Sequence, residues 1–342
     1  MEILDYSFMQ RALLASLMVG LVAPAVGIFL VQRRLSLLGD GLGHVALTGV
    51  AVGVLTSTAP VGTALVAAVL GAVLIELVRA RGRTSGDVAL AVLFYGGIAG
   101  GVVLLSLAPR GQATNLDAYL FGAITTTSSS DVAVFAAIAV VVLAVVGLLG
   151  QRLYAVSDDE EYARAVGLPV LALNVVLAAL VASTVVLSMR VVGLLLISAL
   201  MIVPCAVAQL VARSFRQTVF LACAIGLLVS LSGTATSYYT GTPSGGTIVL
   251  LAIALFLVVS VAVAVRDATA RRRHRRRADV HAAHPHEHGE GCGHPPVPHD
   301  DHVDYDHDGH RHAPHRTGTG VHYDEHGDAH EHPAATPPGS AR

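Results

Sequence analysis

Residues 217–265 read QTVFLACAIGLLVSLSGTATSYYTGTPSGGTIVLLAIALFLVVSVAVAV and contain no charged side chain. A helix that crosses the hydrocarbon core needs roughly 20 mostly apolar residues, so this stretch is long enough for two. The break falls at 237–246, SYYTGTPSGG, where Tyr, Thr, Gly and Pro interrupt the apolar run. Further uncharged runs occur at 12–32, 88–109, 132–151, 169–189 and 191–212. Residues 43–75 carry only His44 and break at Ser57-Thr58-Ala59-Pro60. Nine spans result, near 11–31, 41–56, 61–79, 88–107, 132–150, 170–188, 191–211, 217–236 and 245–265. Eight remain possible, because 41–56 is short and starts polar. The expected fold is an all-α integral membrane protein.

The composition agrees. Of 342 residues, 54% are hydrophobic and only 13% charged, against about 25% charged in soluble domains. The mean hydropathy is +0.64. Two regions separate: a membrane domain over 1–266, and a polar tail over 267–342 that holds 16 of the 17 His. The net charge of −2 gives no sign of nucleic-acid binding. No Lys occurs anywhere, which excludes a P-loop, whose Lys holds the β/γ-phosphates. If ATP drives this protein, another chain hydrolyses it. Cys205 and Cys223 lie in apolar runs and, with Cys292, form no C-x-x-C pair. They read as small buried side chains. The acidic start before Arg11 lacks the basic n-region of a secretory signal, so the first apolar run is expected to be retained.

Arginine clusters set the orientation, because short cytoplasmic loops are enriched in them. Arg33-Arg34, Arg79/Arg81/Arg83, Arg152/Arg164, Arg213/Arg216 and Arg266 with Arg271–Arg277 each follow an odd-numbered span. The N-terminus is then outside and the C-terminus inside, with Arg110 and Arg190 as exceptions.

Two stretches carry chemistry. In RRLSLLGDGLGH at 33–44, Asp40 and His44 are four apart and share one helix face. A carboxylate with an imidazole suits Zn²⁺ and can also hold Mn²⁺. The plainer reading is an Asp helix cap and a His making one interhelical hydrogen bond. Ionisable groups at membrane depth usually face a bundle interior or a pathway. In SDDEEYARAVGLP at 157–169, Ser157 and Glu160 form a capping-box pattern, acidic residues fill the first turn, and Gly167 with Pro169 ends the helix. A cytoplasmic helix of about nine residues is expected there.

These residues, with others, resemble the membrane permeases of the zinc/manganese ABC uptake systems. The matching segments are 33–53, AYLFG at 118–122, EEYARAVGLPV at 160–170, 190–213, and SYYTGTPSGGTIVLLA at 237–252. They occur in the family's order and spacing and span nearly all of 1–265. The resemblance implies a fold like that of type II ABC importers: two permease copies flank a pathway in a bacterial inner or plasma membrane, surrounded by lipid. A cytoplasmic ATPase subunit binds inside and a metal-loaded binding protein docks outside. It makes Asp40 and His44 candidates for transient metal contact. It makes 158–168 the coupling helix, with Asp158, Asp159, Glu160, Glu161, Ala163 and Gly167 as the residues that couple to the ATPase. No permanent cofactor is implied; the metal is cargo. Leu47-Thr48-Gly49 replaces the manganese branch's Leu-Pro-Gly ending, which points to the zinc branch.

Other classes fit less well. A secondary metal carrier needs several polar residues inside its spans, and only Asp40, His44 and Glu76 qualify. An intramembrane metalloprotease needs H-E-x-x-H, which is absent. The tail outside the resemblance carries 15 His and 11 carboxylates over 281–332. Runs there contain His284, His286 and His288, and His326, His330 and His332. Neutral imidazoles beside carboxylates make low-specificity sites for divalent metal. Few apolar side chains and recurrent Pro and Gly lead us to expect a disordered cytoplasmic segment.

Overall fold

Helices stand at all nine places where hydropathy expects spans. A computed structural model describes residues 5–81, 86–107, 120, 122, 128–189, 192–194, 197–282, 293–299, 302–307, 310–317 and 320–325. Among these residues the long helices are α1 (Ser7–Gln32), α2 (Leu38–Leu55), α3 (Pro60–Ala80), α4 (Gly86–Ser106), α5 (Ser129–Asp158), α7 (Val170–Ser188), α9 (Phe215–Thr240) and α10 (Ser244–Ala282). All eight are long and apolar enough to cross a membrane. The short helices are α6 (Glu160–Ala165) and α8 (Ile197–Val211).

The seventh expected span needs correction. Its helix starts at Ile197 rather than at 191, so its 15 residues rise only about 22 Å. Before it, Val192, Gly193 and Leu194 are buried but not helical, with Gly193 at φ +90. Irregular backbone at this depth is tolerated where protein covers it. Here the Leu194 carbonyl lies against α2 at Gly43.

The membrane domain is layered around three inner helices. α1, α2 and α7 are mostly enclosed, whereas α4, α5 and α10 present Val92, Val103, Val140, Leu148, Leu257 and Val261 outward. In lipid, close packing and interhelical hydrogen bonds hold helices together. Ser16 and Thr234 hydroxyls meet at 2.6 Å, and Ser230 donates to the Ser16 carbonyl at 2.9 Å, joining α1 to α9. Bonds of this kind average roughly 0.6 kcal/mol each. The two helices with an internal proline, α1 (Pro24) and α8 (Pro204), cross where the buried Cys205 thiol reaches the Pro24 carbonyl at 3.4 Å.

The polar tail, taken by itself, also departs from expectation. Four strands, β1 (Pro296–His299), β2 (His302–His307), β3 (His310–Thr317) and β4 (Gly320–Glu325), pair antiparallel in sequence order. The local signals are the alternation of Val303 and Tyr305 with Asp and His, and the two-residue Asp308-Gly309 spacer, a strong hairpin sequence. His284, His286, His288, His326, His330 and His332 lie outside the described residues.

Candidate functional site

Asp40 and His44 both fall in the first half of α2 and are half-buried. The plainer reading of this pair fails on both counts. Leu37, not Asp40, is the N-cap, and no side chain caps this helix. Asp40 sits inside the first turn, where the helix dipole favours a carboxylate. The His44 ring makes no hydrogen bond among the described residues. Its ring instead meets Phe94 of α4 edge-on, with centroids 4.5 Å apart and planes at 78°.

Two features of α4 hold that ring's backbone in place. A Cβ on Gly97 would lie 2.7 Å from both the His44 carbonyl carbon and the Val45 nitrogen, so only glycine lets α4 approach here. One turn further along α2, the Thr48 hydroxyl donates to the Gly97 carbonyl at 2.8 Å. The Asp40 charge acts on His44, but among the described residues no third His, Cys, Asp or Glu joins them. The described residues of one chain therefore form no closed metal site around this pair.

The short helix expected between the fifth and sixth spans is present, with different bounds. Ser157 is not its cap. It belongs to the last turn of α5, buried, with its hydroxyl unpartnered among the described residues. Asp159 is the cap, accepting from the Tyr162 N–H at 2.8 Å, and α6 has six residues. The reason is that α5 runs on to Asp158, leaving Asp159 as the first residue in extended backbone. Gly167 ends α6 as expected. At φ +83, its N–H bonds to Arg164 O at 3.1 Å and the Leu168 N–H to Ala163 O at 3.0 Å, the paired bonds of a Schellman cap. Ala163 faces inward, fully buried, while Asp158, Glu161, Tyr162 and Val166 face out.

What the sequence did not reveal is how α6 is tied to the helices. Arg33, at the C-cap of α1, donates to Asn174 of α7 at 2.8 Å and to Glu160 at 3.1 Å. Glu160 also pairs with Arg164 at 2.7 Å. Next to Arg33, Gln32 donates to Asp158 at 2.9 Å. Burial lowers the Arg33 pKa, and the charges of Glu76 and Glu160 oppose that. An arginine remains charged through such a shift. Arg33, Asn174, Glu160 and Arg164 border a cleft of about 940 Å³, whose wall also includes the buried Glu76 and its partner Arg79 at 2.7 Å. The only sequence signal was the doubled arginine after the first span.

A multi-span helical body with a capped helix between α5 and α7 fits the ABC permease subunit that the resemblance implies. Comparison gives the family. Residues 5–263 match the ABC 3 transport family, and the chain belongs to it; it is a multi-pass membrane protein. It is 33% identical over 253 residues to the manganese transport system membrane protein MntC of Listeria monocytogenes, covering 73% of this chain and 89% of that one. It is 31% identical to a probable metal transport system membrane protein of Treponema pallidum, over 73% of this chain and 93% of the relative. Among solved structures, it resembles PsaBC from Streptococcus pneumoniae in complex with Fab. The TM-score is 0.68 at 30% identity, covering 75% of this chain and 94% of that one.

Proposed function

We propose that this chain is the permease subunit of an importer for a divalent transition-metal ion. It works as two identical copies, with a cytoplasmic ATPase and an extracellular metal-binding protein. The observation that carries this is the Asp40–His44 pair, one turn apart on inner helix α2 of a transport-family fold. Two donors per copy make four across a two-fold interface. That is enough to hold an ion briefly, and a transport site must bind loosely enough to release. ATP-driven movement enters through α6 with Asp158, Asp159, Glu160, Glu161, Ala163 and Gly167, and alternates access to the pair. The arginine clusters support an N-outside, C-inside orientation.

Zinc is the cargo that this chain's own residues favour. Thr48 stands where the manganese branch carries proline. As a helical residue with an N–H, it leaves the helix bond to the His44 carbonyl intact, and its hydroxyl lies 3.5 Å from that same oxygen. A proline would free this oxygen, and carbonyl donors suit Mn²⁺. Manganese is the second reading, supported at least as well from outside the chain, because the Listeria protein and several further relatives carry manganese in their names. Uptake of labelled Zn²⁺ and Mn²⁺, each against the other as competitor, decides between them in cells stripped of their own importers. Uptake of neither ion refutes both. We further propose that the His-rich tail buffers metal on the cytoplasmic side. A chain truncated at Arg277 should transport at close to the normal rate, and the 278–342 peptide should bind zinc at neutral pH.

A further inference from the structure

We propose that Arg33 is a positioning residue that transmits movement of α6 to α2, the helix that bears the metal pair. The proposal rests on the transport reading above. Its basis is the place of Arg33 in the chain. The guanidinium is anchored by both ends of its fork, one Nη on Asn174 and the other on Glu160 of α6. Its side chain is only 7% exposed, against 39% for Glu160 and 67% for Arg164. Water therefore competes less for the Arg33 contacts than for the Arg164–Glu160 pair on the surface. Gln32 adds a second strut to Asp158, so the end of α1 grips the segment on both sides of the Asp159 cap.

From Arg33 the path to the metal pair is short and stiff. Only residues 34–37 separate it from α2, and backbone bonds span them. Leu35 N–H meets Leu30 O at 2.9 Å, Arg34 N–H meets Val31 O at 3.1 Å, and Leu38 N–H meets Leu35 O at 3.0 Å. Asp40 follows in the first turn of α2. A displacement of α6 that carries Glu160 therefore pulls on a buried, bidentate arginine joined rigidly to the start of the cargo helix. Glu76 of α3 faces Arg33 across the cleft, so a guanidinium released by Glu160 still has a second carboxylate to approach.

The test uses the whole transporter, reconstituted in liposomes with its ATPase and loaded binding protein, and measures ATP hydrolysed per ion imported. A merely structural role lowers the amount of assembled transporter and leaves that ratio alone. Arg33→Gln should raise it about fivefold or more, and Arg33→Lys, which keeps the charge but loses the fork, should fall between. The Arg33→Glu/Glu160→Arg exchange should return the ratio to within about twofold of wild type, as expected for a coupled pair. If the single Arg33→Glu chain does not assemble, the Gln and Lys variants still carry the test. An unchanged ratio in Arg33→Gln overturns the proposal, as does an exchange variant no better than its worse parent. Failure of the wild-type complex to import Zn²⁺ or Mn²⁺ would instead overturn the transport reading, and this proposal with it.

Discussion

At the C-terminal end of α1, charges are answered inside the chain: Arg33 by Asn174 and Glu160, Glu160 also by Arg164, Glu76 by Arg79. Seven and eleven residues further on, Asp40 and His44 have each other and an aromatic edge, and no third His, Cys, Asp or Glu joins them among the described residues. The first region is a finished structural unit of one protomer. The second, on the proposed reading, is half of a metal site. Carboxylates and imidazoles at membrane depth are costly when left alone. Two donors on a packed inner helix make sense when an ion or a second copy completes the set. On the proposed reading, the joint passes movement on and the pair binds an ion and lets it go.

The sharpest way to break this contrast is to remove the pair. Asp40→Ala and His44→Ala should each cut metal uptake by about 100-fold, since losing one ligand or its close support commonly costs a factor of 10–100. Membrane insertion and the thermal stability of the purified chain should hardly change, because neither side chain holds the fold together. A double variant with normal expression and normal uptake would show that cargo passes elsewhere. Next in size is Gly97→Val. The added Cβ would strike the backbone at His44 and Val45, and overpacking of this kind costs about 1–3 kcal/mol. We expect a lower unfolding temperature together with about tenfold slower uptake. Slower uptake without lost stability would mean that α4 sets the His44 position without bearing much of the packing.

How far the sequence reached follows the same division. Span positions were legible because apolar length is a requirement of the bilayer itself, and all nine expected runs became helices. The pair was legible because charge is scarce in such runs. The joint was not, since Arg33 lies more than 120 residues from both Glu160 and Asn174 and a doubled arginine looks like any cytoplasmic flank. The start of α8 was missed for a related reason: Val192-Gly193-Leu194 is apolar, so hydropathy cannot tell irregular buried backbone from helix. The cap of α6 was misplaced by two residues because Ser157, Asp158 and Asp159 are all good capping residues. How far α5 runs decides among them.

The smallest effects separate two helix ends that share one geometry. α1 and α6 both close with Schellman bonds, α1 through Arg34 at φ +56 and α6 through Gly167 at φ +83. Only glycine takes that conformation without strain; another residue pays roughly 1–2 kcal/mol. Gly167→Val should therefore destabilise the α6 end by about that much. Stimulated ATPase activity and transport should fall together, while docking of the external binding protein persists. Arg34→Gly should act in the opposite sense and more weakly. It relieves the left-handed strain but gives the unfolded chain more freedom, leaving a net gain of about 0.5 kcal/mol and a slightly higher unfolding temperature. If α1–α2 is a rigid link, that relaxed joint should also transmit less well. The sign to look for is a small rise in stability accompanied by a small rise in ATP used per ion. A gain in stability with an unchanged ratio would show that the strain at Arg34 has no part in coupling, and a loss of stability would show that the arginine side chain, rather than its backbone, is what the joint needs.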